Sequence, residues 1–137
     1  MLFRSEDTSN PKGGWTLCYS YGRAIFRAVD SAGKLQTLAS PKNSVPASVW
    51  VHIAAVADAS TMRIYLNGVE AASAPFAGPI RMAATPMVIG NHAGIASFRH
   101  SECPAFGGLM DEVKIFQKPL NPAEAMAESE LVLSPIR

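Results

Sequence analysis

The sequence has no hydrophobic run approaching the ~18 residues of a membrane-crossing helix, because a charge, a proline or a glycine interrupts each apolar stretch. A membrane-inserted helix is therefore not expected. Nor is there an excess of one charge: 12 Lys and Arg stand against 11 Asp and Glu. The basic residues are scattered singly, leaving no stripe to neutralise a phosphate backbone, so nucleic acid is not an expected partner. Cysteine is scarce, with Cys18 and Cys103 lying 85 positions apart and far from any C-x-x-C clamp. One long-range disulfide or two free thiols are both allowed, and the frequent use of cysteine as a small core residue favours free thiols. The opening residues Met1 to Asp7 lack a basic region followed by an apolar one, so an export signal, if used, lies on a part outside this sequence. Motifs of the G-x-S-x-G, H-E-x-x-H and phosphate-loop types are missing as well.

What is present is a chain of 137 residues, 48% of them hydrophobic, enough for one domain with one core. Ten glycines and ten prolines punctuate short apolar segments, the spacing of an all-β sandwich. After a polar opening, Trp15 to Ser20 and Ala24 to Val29 predict a hairpin turned at Tyr21-Gly22-Arg23, followed by a short strand Leu35 to Leu38 and a loop from Ser40 to Ser48. Val49 to Ala57 is apolar on both faces and predicts a central, doubly covered strand anchored by Trp50. Asp58-Ala59-Ser60 then turns the chain into Thr61 to Leu66, where Met62, Ile64 and Leu66 share one face and Arg63 and Tyr65 the other. Asn67-Gly68 suits a type I′ turn, returning the chain through Val69 to Ala72. Further strands are expected at Ile80 to Met82, Met87 to Gly90 and Leu109 to Phe116, the last closing the sheet. Asn121-Pro122-Ala123-Glu124 reads as a capping box opening one short helical turn over Ala123 to Ser129.

The order of five blocks carries a resemblance. They are Trp50-Val51-His52-Ile53-Ala54-Ala55, then Arg63-Ile64-Tyr65-Leu66-Asn67-Gly68, then Val88-Ile89-Gly90, then Phe106-Gly107-Gly108-Leu109-Met110-Asp111-Glu112-Val113-Lys114-Ile115-Phe116, and finally Pro119-Leu120-Asn121-Pro122-Ala123-Glu124. The chain resembles the laminin G-like group of the concanavalin A-like lectin/glucanase superfamily. That resemblance implies an antiparallel two-sheet jelly-roll sandwich over residues 1–130, with 131–137 as a tail. It also implies a non-catalytic role in carbohydrate binding or adhesion, at the cell surface or outside the cell, within a larger exported protein. The family carries several strands before its W-x-H-V-A strand, whereas only two or three precede Trp50 here. Such a sandwich exposes a sheet edge and is expected to associate with the missing N-terminal segment or with a copy of itself. Alternatively, the N-terminal residues rebuild that edge. A structural assembly or decoration domain docking through its edge, and a fragment of a glycan-active enzyme, are the competing readings.

The glucanase E-x-D-x-x-E strand is absent, and Asp111-Glu112 are adjacent and so face opposite sides of a strand. Alternation from Leu109 through Val113 turns Asp111 toward the apolar face, where a carboxylate requires a partner. Backbone N–H groups at a bulge are one answer; a structural Ca²⁺, as several superfamily relatives hold, is the other. The stretch from Asn91 to Phe106 gathers His92, Phe98, Arg99, His100, Glu102 and Cys103. Its His and Cys spacing matches no standard closed zinc site. As a contact surface that includes His92, Phe98 would stack on a sugar or protein while Arg99 and His100 hydrogen-bond, with the outward-facing Tyr65 adding to it. A solvated loop and a cross-strand packing pair are the simpler accounts of these residues. His52, Trp15, Tyr19 and Phe26 read as packing residues of their strands.

Overall fold

A computed structural model of the chain describes residues 3–6, 13–84, 86–90 and 106–133. Two dipeptides set its local geometry. Tyr21-Gly22 (φ 50° and 72°) and Asn67-Gly68 (φ 50° and 80°) each place two consecutive residues in the left-handed region. Turns of this kind have the twist of the strands they join. The first folds β2 (Gly14–Ser20) onto β3 (Arg23–Val29), and the second folds β6 (Thr61–Leu66) onto β7 (Val69–Pro75). Gly68 has a second reason to lack a side chain: a Cβ there would lie 2.9 Å from Cα of Met126 in the C-terminal helix.

The remaining strands are β1 (Phe3–Glu6), β4 (Leu35–Ala39), β5 (Ile53–Ala57) and β8 (Val88–Ile89). They assemble into two antiparallel sheets, one of five strands in the order β4-β3-β2-β1-β8 and one of three in the order β5-β6-β7. Strand β1 lies between β2 and β8 in the five-stranded sheet. The sheets enclose a core of Leu17, Ala24, Phe26, Ala28, Leu38, Val45, Met62, Ile64 and Phe76, with Trp15 and Tyr19 packed against it. Each large side chain fully buried there contributes roughly 1.5–3 kcal/mol. On the opposite face of β2 and β3, Cys18 and Ile25 form a second small cluster with Ala39.

Helix α1 (Pro122–Leu133) is longer than the single turn expected and runs through residues that had been assigned to a tail. Its start is the capping box read from the sequence: the Glu124 N–H donates to Asn121 Oδ1 (2.8 Å) and the Asn121 N–H to Glu124 Oε2 (2.9 Å). It lies over the outer face of the three-stranded sheet, where Ala125 and Leu120 pack with Val56, Tyr65 and Ala54.

Three strand expectations require correction. The doubly covered central strand over Val49 to Ala57 is a five-residue strand, β5, paired among the described residues with β6 alone; Trp50 is 56% exposed rather than a core anchor. Leu109 to Phe116 forms no strand. It pairs with no β-strand among the described residues, Glu112 adopts a left-handed φ of 52°, and Leu109, Val113, Ile115 and Phe116 are exposed. A ladder on at least one side is what holds such a segment extended. Ile80 to Met82 is likewise not a strand, though the Arg81 N–H donates to Val29 O (2.9 Å).

Candidate functional site

One end of the five-stranded sheet carries a built loop pair. The Ala24 N–H donates to Ser40 Oγ (3.0 Å), and that hydroxyl is bonded to Ser44 Oγ (2.7 Å). The Val45 N–H donates to Gly22 O (2.9 Å), which fastens the 41–45 loop against the β2–β3 turn. Asn43 takes a left-handed φ of 59° there, close enough to Gly22 that a Cβ would meet its Oδ1 at 3.1 Å. Tyr21 stands at the apex, 89% exposed, with Lys42 and Asn43 exposed on the adjoining loop. Left-handed backbone costs a tyrosine about 1–2 kcal/mol relative to its ordinary conformations, and no burial of the ring offsets it. A rigid aromatic beside an amide and an ammonium can stack on the apolar face of a sugar ring while hydrogen-bonding its hydroxyls.

The turn joining β5 to β6 has a different character. Asp58 Oδ1 accepts from the Ser60 and Thr61 N–H groups (2.8 Å each), and Oδ2 pairs with the Arg63 guanidinium (2.8 Å), which also reaches Glu70 (3.5 Å). Hydrogen bonds from Ser60 and then Arg63 hold the Asp58 carboxyl down at about 2. These groups satisfy one another and fasten a turn. His52 is half-buried beside them in sequence: its N–H donates to Asn67 Oδ1 (2.9 Å), yet its buried Nδ1 lacks a hydrogen-bond partner. Burial pushes its imidazole below the usual histidine range, against an opposing pull from Glu128. It is a packing residue whose ring is not fully satisfied.

The residues singled out from the sequence fare unequally. Tyr65 does not face outward. It is 1% exposed beneath α1, its hydroxyl without a hydrogen-bond partner, and burial raises its phenol above the ordinary value. Strand alternation assigned the face correctly but could not show that a helix covers it. Asp111 is not turned into the core either: it is exposed, and its Oδ1 accepts from the Glu112 N–H (2.8 Å). Among the described residues no three His, Cys, Asp or Glu side chains gather where they could hold a metal ion. His92, Phe98, Arg99 and His100 lie outside the described residues. Cys18 is fully buried and disulfide-bonded, which overturns the expectation of a free thiol; the one other cysteine, Cys103, lies outside the described residues. Tyr21 had been read only as a turn residue. The available signal was an aromatic in the first position of a turn that ordinarily takes Asn, Asp or Gly.

The family profile for laminin G domains, described as the concanavalin A-like lectin/glucanases superfamily, matches residues 1–126. The chain belongs to this laminin G-like family. Among solved structures, the domain is similar to an S-layer domain-containing protein of Clostridium thermocellum at a TM-score of 0.53 and 20% identity, which supports the fold. The match covers 90% of this chain and 59% of that one, so the laminin G-like domain spans about three fifths of its structural neighbour. No curated protein matches it. Laminin G-like domains are generally binding modules at or outside the cell surface, and no helix among the described residues is long and apolar enough to cross a membrane.

Proposed function

We propose that this laminin G-like domain is a non-catalytic binding module that recognises carbohydrate, as part of a larger exported protein. The observation that carries the reading is Tyr21: an aromatic ring held almost fully in solvent, on a left-handed turn fastened by the 40–45 loop, with Asn43 and Lys42 alongside. Such a platform suits stacking on a sugar face and leaves hydroxyl recognition to the amide and ammonium. The buried disulfide at Cys18 supports export, since disulfides persist mainly in oxidising compartments. By residue chemistry His92, Phe98, Arg99 and His100 stay candidates for a second part of the surface, and Asp111 for a structural Ca²⁺ ligand. The reading without catalysis rests on the missing E-x-D-x-x-E strand and on Asp111 and Glu112 being adjacent in sequence.

The test is a glycan-array screen of the intact chain in Ca²⁺ and in EDTA, followed by titration of the strongest glycan. Tyr21→Ala is expected to weaken binding by roughly tenfold, the order of one lost aromatic contact, while leaving the melting temperature unchanged. Binding that ignores Tyr21→Ala, or release of reducing ends from the bound glycan, would overturn the reading. Loss of binding in EDTA that Asp111→Asn reproduces would assign the ion to Asp111.

A further inference from the structure

Helix α1 rests on the three-stranded sheet by a narrow hold. Ala125 is its one buried apolar side chain among those described, while Met126 and Leu131 are exposed. Ser129 is buried one turn further on, and both Met126 and Ser129 stand over the β6–β7 turn: a Cβ on Gly68 would lie 2.9 Å from Met126 Cα and 3.2 Å from Ser129 Cβ.

His52 lies under the same helix. Side chains alternate across a strand, and β5 pairs with β6 without irregularity, so His52 shares a face with Ala54 and Val56, which pack with Ala125 and Leu120. Two bonds fix it there: its N–H donates to Asn67 Oδ1 (2.9 Å) and its carbonyl accepts from the Asn67 N–H (2.8 Å), next to Gly68. Its ring nitrogen Nδ1 is buried and has no hydrogen-bond partner. A bare lone pair is tolerated in such a place when the ring is neutral and carries its proton on Nε2. Protonation turns Nδ1 into a donor, and a buried N–H without an acceptor costs more than an ordinary hydrogen bond contributes.

The charged groups around the ring do not supply that acceptor. Glu128 of α1 pulls a proton toward the imidazole, but it is held by Lys114 of the preceding segment (2.7 Å), whose own charge opposes protonation. On β6 the same face carries Arg63, engaged with Asp58 and Glu70, and Tyr65, whose buried hydroxyl is likewise without a partner and so is not bonded to the ring.

We propose that protonation of His52 in mildly acidic solution releases α1 from the sheet, so that the helix covers Ala54, Val56 and Tyr65 at neutral pH and uncovers them in acid. Burial is the largest influence on the imidazole and holds it below its ordinary 6.5 despite the pull of Glu128. The released ring therefore takes up a proton more readily than the docked one. Docking is complete above pH 6.5 and weakens as pH falls through that value toward the lowered one. The inference is independent of the Tyr21 surface, which lies on the other sheet.

Hydrogen exchange of the intact chain at about pH 7.5 and about pH 5, corrected for the intrinsic pH dependence of exchange, tests it. Protection of the α1 amides, relative to those of β2 and β3, is expected to fall at least about fivefold at the lower pH, the scale of one unpaired buried N–H. His52→Phe keeps the packing and both bonds to Asn67, and its relative protection should be the same at the two pH values. Equal protection of α1 at both pH values in the wild type, or a loss that persists in His52→Phe, would overturn the proposal. If His52→Phe does not fold, an NMR titration decides in a chain carrying His92→Gln and His100→Gln, where His52 is the sole imidazole. A midpoint below 6.5 supports the proposal, and one at or above 6.5 overturns it.

Discussion

Strands β2 and β3 are flanked on both edges, and ten of their fourteen residues are buried on one face or the other. Strand β5 is apolar throughout, yet only Val56 is buried. Composition does not separate the two. What differs is the number of neighbours: β2 and β3 sit inside a five-stranded sheet with side-chain clusters on both faces, while among the described residues β5 has one partner strand. Apolar residues in a strand are thus a demand for cover, and the fold meets that demand in one sheet and leaves it unmet at the rim of the other.

The sharpest way to break this comparison is to remove equal chemistry from the closed interior. Ile64 of β6 is fully buried in the core. Ile64→Ala should cost about 2–5 kcal/mol, read from urea unfolding, because the cavity cannot collapse between two sheets. A loss under ~1 kcal/mol would mean that the sheets are not packed as described.

The five-stranded sheet has a covalent tie that the three-stranded sheet lacks among the described residues. Cys18→Ser should lower stability by about 2–4 kcal/mol, and addition of a reductant should lower the wild-type melting temperature by as much while leaving the variant unchanged. Equal melting with and without reductant in the wild type would show that Cys18 is not bonded in solution.

How far these contrasts could be read in advance depends on the range of the physics behind each. Thr61 to Leu66, the Asn67-Gly68 turn and the Asn121 cap were legible because local chemistry decides them: period-two alternation, positive φ and a side chain reaching three residues along the helix. Leu109 to Phe116 and β5 were misjudged because alternation says which residues would share a face if a ladder exists, not whether a partner strand is there. Tyr65 was lost for a related reason, since the position of α1 over β6 is tertiary. The candidate site was the least legible part. Tyr21 was visible as a turn residue, but the loop fastened beside it through Ser40 and Val45 is a contact made across some twenty positions of sequence.

A smaller effect sharpens the contrast from the β5–β6 turn. Asp58, held at about 2 against an ordinary 3.8, contributes stability that is present above pH 4 and lost as pH falls through 2. Since the carboxylate is partly open to solvent, the contribution is of order 1 kcal/mol after screening. Asp58→Asn should therefore be less stable than wild type by that amount at pH 7, and the gap should close between pH 4 and pH 2 in denaturant titrations. A gap constant over that range would remove the ion pair with Arg63 from the account.

The smallest expected effect on stability is also the most telling. Ile115 is 58% exposed, outside any strand. Ile115→Ala removes the same atoms as Ile64→Ala, yet at low protein concentration it should change the unfolding free energy by less than about 0.5 kcal/mol, because those atoms are mostly in water in both states. If Ile115→Ala instead costs ~2 kcal/mol in dilute solution, its side chain is covered in the folded chain, and the contrast between a closed sheet interior and exposed apolar side chains fails.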